Sequence, residues 1–183
     1  MKKSLILLVS FLLFQGCTKV VPNRDEVLVI IDCVNTYWQK NNVPEVRPFW
    51  DNAAYHTGNM EVYFLTGNKQ QLEYTKRWAE YNKYYGATNN NKEEWKYSYG
   101  ERPEYVLFGD WQICFQTYAD LYNLEPDTIK IARAREVMEY QMSTPNNDYW
   151  WWADGLYMVM PVMTKLYNIT GNPLYLEKLY EYF

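Results

Sequence analysis

One helix-ending string recurs three times along this chain. Tyr63-Phe64-Leu65-Thr66-Gly67-Asn68, Leu121-Tyr122-Asn123-Leu124-Glu125-Pro126 and Leu166-Tyr167-Asn168-Ile169-Thr170-Gly171-Asn172 each stop one helix and start another. Glycine supplies the left-handed backbone that a helix end uses, and Asn at a cap, or Pro at a first helical position, opens the next helix. Apolar residues on both sides recur at three- and four-residue steps, so each string joins two amphipathic helices. Reading outward predicts helix pairs over 51–65 and 70–85, over 110–124 and 127–142, and over 154–169 and 173 onward. A further helix precedes them on Val27, Ile30, Ile31, Val34, Tyr37 and Trp38. The tyrosines at 63, 122 and 167 lie 59 and 45 residues apart, a helical hairpin plus a variable connection. The fold class is therefore all-α, an array of hairpins that either runs on as a solenoid or closes into a toroid. Both forms need further repeats or caps over the last apolar face. The third hairpin carries no ending string, so the sequence is expected to hold about the first half of a toroid.

Aromatic residues make up 19% of the chain, with 19 Tyr and 8 Trp, more than a core of this size requires. Their flat faces and polar edges suit sugar rings, and equally suit packing between helices. A net charge of −4 without any Lys/Arg run argues against a nucleic-acid partner, whose phosphates call for basic surface. With one His and no ligand spacing, no metal site is expected. Residues 1–17 read as an export signal: Lys2 and Lys3, an apolar run from Leu5 to Phe14 broken only by Ser10, then Gly16 and Cys17. That run is shorter than the roughly 20 residues a spanning helix needs. The ending resembles a lipobox, which implies lipidation at Cys17, with a polar tether over 18–24 and a partial toroid domain over 25–183 beyond it. Membrane attachment is then by the lipid alone, in the bacterial envelope, on a periplasmic or outer-membrane lipoprotein. Cys33 and Cys114 both fall on apolar helical patterns and are expected to be buried free thiols.

Chemistry concentrates where first helices of hairpins begin. Asp110, in Phe108-Gly109-Asp110-Trp111-Gln112, and Asp154, in Trp150-Trp151-Trp152-Ala153-Asp154-Gly155, take equivalent places in two successive repeats. Each alone reads as a helix cap. Together they point to one end of one cavity, because first helices line the inside of a toroid. Trp151 and Trp152 are expected to raise the pKa of Asp154 by desolvation, with Asp110 adding a like charge, as a proton donor near neutral pH requires. Three consecutive Trp cannot share one side of an element, so at least one should face the cavity. Trp50-Asp51-Asn52-Ala53-Ala54-Tyr55-His56 opens another first helix. It offers Asp51, Asn52 and His56, with a cap and a structural hydrogen bond as the plain alternatives for Asp51 and His56. The polar connection over 86–105, with Trp95, Tyr97 and Tyr99, is of a length that usually serves function.

The strings WDNAAYHTGN at 50–59, FGDWQICFQTYADLY at 108–122 and WWWADGLYM at 150–158 resemble glycoside hydrolase families 105 and 88, the unsaturated rhamnogalacturonyl and glucuronyl hydrolases. The resemblance covers about residues 27–183 and implies an (α/α)6 toroid. It further implies that the residue matching Asp154 protonates C4 of a C4=C5 double bond in an unsaturated uronic-acid oligosaccharide from pectin and helps water add at C5. The residue matching Asp110 would hold the sugar and tune the first. Trp152 and His56 would line the sugar pocket, with Trp151, Asp51, Asn52, Trp111 and Gln116 as further substrate-binding candidates. No metal or organic cofactor is implied. Two other readings stay open on the residues alone: conventional inverting hydrolysis by the same two carboxylates, and a lipid-anchored glycan-binding repeat protein without catalysis.

Overall fold

The computed structural model describes residues 23–183, so the signal segment, Cys17 and most of the tether lie outside the described residues. All regular structure among the described residues is helical. The described residues divide into two compact units, separated after residue 37. In the first, helix α1 (Arg24–Asn41) begins on a reciprocal cap: Glu26 N donates to Asn23 Oδ1 at 3.0 Å and Asn23 N to Glu26 Oε2 at 2.9 Å. Val29, Ile30 and Val34 of this helix are exposed, and so is Cys33, against the burial expected for its thiol. Periodicity tells which residues share a face, not whether anything covers that face. Cys114 is buried as expected.

The second unit holds three hairpins: α2 (Trp50–Thr66) with α3 (Lys69–Tyr81), α4 (Cys114–Leu124) with α5 (Ile129–Ser143), and α6 (Ala153–Thr170) with α7 (Leu174–Tyr182). The first helices α2, α4 and α6 pack side by side, and each second helix packs against its own partner. This is the hairpin layering of the expected toroid. Helix α4, in the middle, is buried from Cys114 to Leu121. Trp78, Phe115, Tyr118, Met138, Met163 and Tyr175 fill the space between the layers.

The recurring string works as one device. Gly67 and Gly171 both sit at φ +70°, and their N–H groups return to Tyr63 O and Tyr167 O at 2.8 Å. The Thr before each glycine donates to the carbonyl four residues back, and the Asn after it caps the next helix through Gln70 N at 3.0 Å and Leu174 N at 3.1 Å. Just after the second string Asp127 takes the part of the Asn, accepting from Ile129 N at 3.1 Å.

One glycine is required by close approach. A Cβ on Gly86 would stand 2.0 Å from the backbone oxygen of Trp111. Gly86→Ala therefore has to displace the turn that carries Asp110, and it is expected to cost about 3 kcal/mol, read from the urea midpoint.

Candidate active site

The inner helices bring their N-terminal ends to one place. Before α4 the chain makes a short 3-10 turn, Gly109–Trp111, which touches both α2 and α6. Asp110 sits in that turn and Asp154 in the first turn of α6, and both line one cavity of about 610 Å³. Helix α2 adds Trp50 and Ala54 to the wall, the long connection adds Tyr99 and Phe108, and α6 adds Tyr157 and Met158. A large, mostly apolar hollow with two converging carboxyls is the usual form of a small-molecule site.

Neither carboxyl is a helix cap. The helix cap ahead of α6 is Trp152 and that of the turn is Phe108, with no side-chain cap bond at either. Among the described residues, Asp154 accepts only from its neighbour Gly155 N, at 3.0 Å. The two differ in setting. Asp110 is buried and Asp154 exposed. Burial, and then the nearby charge of Asp154, push the pKa of Asp110 up to about 6. The desolvated acid expected from sequence was Asp154. The correction lies in the tryptophans: Trp150 is in the core against Tyr182, while Trp151 and Trp152 stack on each other at 3.9 Å and remain 65% and 43% exposed. They leave Asp154 open. Of the three, Trp152 lines the cavity, as the run required.

A scan against family models matches residues 25–183 to Glycosyl Hydrolase Family 88. The chain belongs to that family. It is 68% identical to a solved glycosyl hydrolase family 88 protein from Bacteroides vulgatus, with a TM-score of 0.86 over 88% of this chain and 46% of that one. It is 77% identical to a solved protein named as a polysaccharide lyase, with a TM-score of 0.84 over 86% of this chain and 45% of that one. No curated protein matches. The family 88 chain thus spans about half the length of these structures, and its all-α hairpins are about half of their toroid.

Several residues expected to bind substrate in this family 88 chain make structural contacts away from the two carboxyls. His56 is buried between the rings of Trp78, at 4.1 Å, and Tyr74, at 5.6 Å, with Nδ1 3.1 Å from Thr75 Oγ1. It lines, with Asn52, a smaller hollow of about 280 Å³ apart from the two carboxyls. Asp51 pairs with Arg47 at 3.1 Å, and Arg47 is also bound to Glu101, so this arginine is neutralised outside the cavity. Trp111 is buried beside Phe49, its indole N–H on Gly100 O at 3.0 Å. Gln116 repairs a helix. Pro161 inside α6 has no N–H for Tyr157 O, and Gln116 Nε2 donates to that carbonyl, and to Met158 O, at 2.9 Å. The cavity wall at Tyr157 and Met158 is held this way. Those two residues went unselected from the sequence although they lie three and four positions after Asp154, on its own helical face.

The raised acid has a measurable cost. The unfolded chain loses the Asp110 proton near the ordinary carboxyl value, whereas the folded chain keeps it to about pH 6, so stability is lost between about pH 4 and 6 and the full cost stands above that. Asp110→Asn is expected to stabilise the protein by about 1–2 kcal/mol at pH 7.5, a gain below that of full burial because the cavity admits solvent. The gain should disappear by about pH 4 in paired urea titrations.

Proposed function

We propose that this chain carries the catalytic carboxyls of a hydrolase for unsaturated uronyl oligosaccharides released from pectin or rhamnogalacturonan. The observation that carries the reading is the pair itself: one buried carboxyl that keeps a proton to about pH 6 beside one exposed carboxyl, on a single aromatic-walled cavity. Asp154, free of capping duty, delivers a proton to C4 of the C4=C5 bond. As carboxylate it then takes a proton from the water that adds at C5. The C5 hemiketal opens to a ketone, and C1, now a hemiacetal, expels the aglycone alcohol. Asp110 holds the sugar and keeps a proton within the pair. Membership of family 88 supports glycoside hydrolysis.

A second reading comes from the relative named as a polysaccharide lyase. In β-elimination a carboxylate would take the C5 proton and the C4 substituent would leave, creating the double bond that hydration destroys. One assay separates the two. The open reading frame that carries this sequence is mixed with lyase-made unsaturated pectin oligosaccharides, and in parallel with saturated ones, while the ultraviolet absorbance of the conjugated uronate is monitored. Falling absorbance on the unsaturated set supports hydration. Rising absorbance on the saturated set replaces it with elimination.

A further inference from the structure

Between α3 and α4 the chain runs 32 residues, 82–113, with only two 3-10 turns, Lys92–Glu94 and Gly109–Trp111, yet the connection is firmly tied. The Arg133 guanidinium is buried between the rings of Tyr85 and Trp95, at 5.0 and 4.8 Å, and donates to Ala87 O at 3.0 Å and Asn89 O at 2.6 Å. Trp95 Nε1 reaches the same Asn89 O at 2.9 Å. Beyond that clamp, Lys96 N bonds Glu104 O at 2.8 Å, so the segment doubles back on itself. The next residue is Tyr97, which does not line the cavity. Its ring is set against Phe108 at 5.2 Å and Tyr149 at 5.7 Å, and its hydroxyl accepts from Trp152 Nε1 at 3.2 Å.

Trp152 has need of that bond. It precedes α6 in extended backbone, so no helix neighbours confine it, and its stacking partner Trp151 is itself the more exposed of the two. Its other ring contact, with Phe108 at 6.5 Å, also comes from the connection. A half-exposed indole without a fixed end turns about its side-chain torsions, and a ligand that uses it as a wall must pay for stopping that motion. We infer that Tyr97 is a positioning residue whose hydroxyl holds the Trp152 indole as a fixed cavity wall beside Asp154, and so sets the affinity for the sugar. The effect on affinity rests on the carbohydrate function proposed above; the hold on the indole does not.

Tyr97→Phe removes the hydroxyl and keeps the ring. The Trp152 indole N–H resonance, identified by its loss in Trp152→Phe, is expected to move upfield and lose exchange protection in Tyr97→Phe; an unchanged resonance overturns the proposal. KM for the unsaturated oligosaccharide should rise about three- to tenfold with a smaller change in kcat. In the Trp152→Phe background, which lacks the Trp152 N–H and leaves only the exposed Trp151 indole near the hydroxyl, the same substitution should add nothing. An equal rise there means that Tyr97 acts on another group, and the proposal falls. If no oligosaccharide is turned over, the hydrolase reading fails while the indole resonance still decides the role of Tyr97.

Discussion

Asp154→Asn should lower turnover of unsaturated uronyl oligosaccharides by about 10³-fold, within the range for loss of a general acid, and leave the fold standing. The contacts of this carboxyl are the reason that stability is spared. Asp154 is exposed, and its one hydrogen bond is accepted from the adjacent Gly155 N, which an Asn side-chain oxygen accepts equally. The urea midpoint should therefore correspond to a change within about 0.5 kcal/mol. A glycan-binding repeat protein whose carboxylates were helix caps would show the reverse, about 1 kcal/mol of lost stability and unaltered sugar binding. Measuring kcat and the midpoint on the same preparation separates them. Retained turnover in the Asn variant would remove Asp154 from the chemistry.

The hairpins were legible in the sequence because their turns depend on local chemistry: a glycine at φ +70° and an Asn that caps the next helix need no distant partner. Asp110 and Asp154 were legible as a pair because equivalent places in successive repeats come to one end of the inner layer. What could not be read was which carboxyl is covered. That depends on Trp151 and Trp152 turning outward while Trp150 turns inward, a choice made by the packing of Trp150 on Tyr182. Gln116 stood among the substrate-binding candidates, and nothing local in the sequence shows its contact with α6. Its role became visible only once α4 was set against α6, where Pro161 leaves a carbonyl without a donor. The same limit applies to Cys33. A repeat pattern gives the face of a helix, and the neighbour that would cover it is a tertiary fact.

His56 provides the largest stability effect. Burial against Trp78 and Tyr74 keeps its imidazole neutral and pushes its pKa down to about 3. In the unfolded chain the same group takes a proton near pH 6.5. Stability from a neutral His56 is thus fully present above that value and drains away as the pH falls from about 6.5 toward 3, by on the order of 4 kcal/mol across the window. Asp110 works in the opposite direction over part of it, since its strain is relieved as the pH drops from about 6 to 4. The wild-type profile is therefore flattened in that interval and falls steeply below it, and Asp110→Asn should uncover the His56 slope from the start. His56→Phe keeps a ring between Trp78 and Tyr74 and gives up the bond to Thr75, costing about 1 kcal/mol at pH 7.5. It should in return unfold far less readily in acid, so that the two curves of free energy against pH cross between about pH 5 and 6. Parallel decline of wild type and His56→Phe in urea titrations from pH 7.5 to 4 would show that another group drives acid unfolding, and that this lone histidine is not held neutral by its stack.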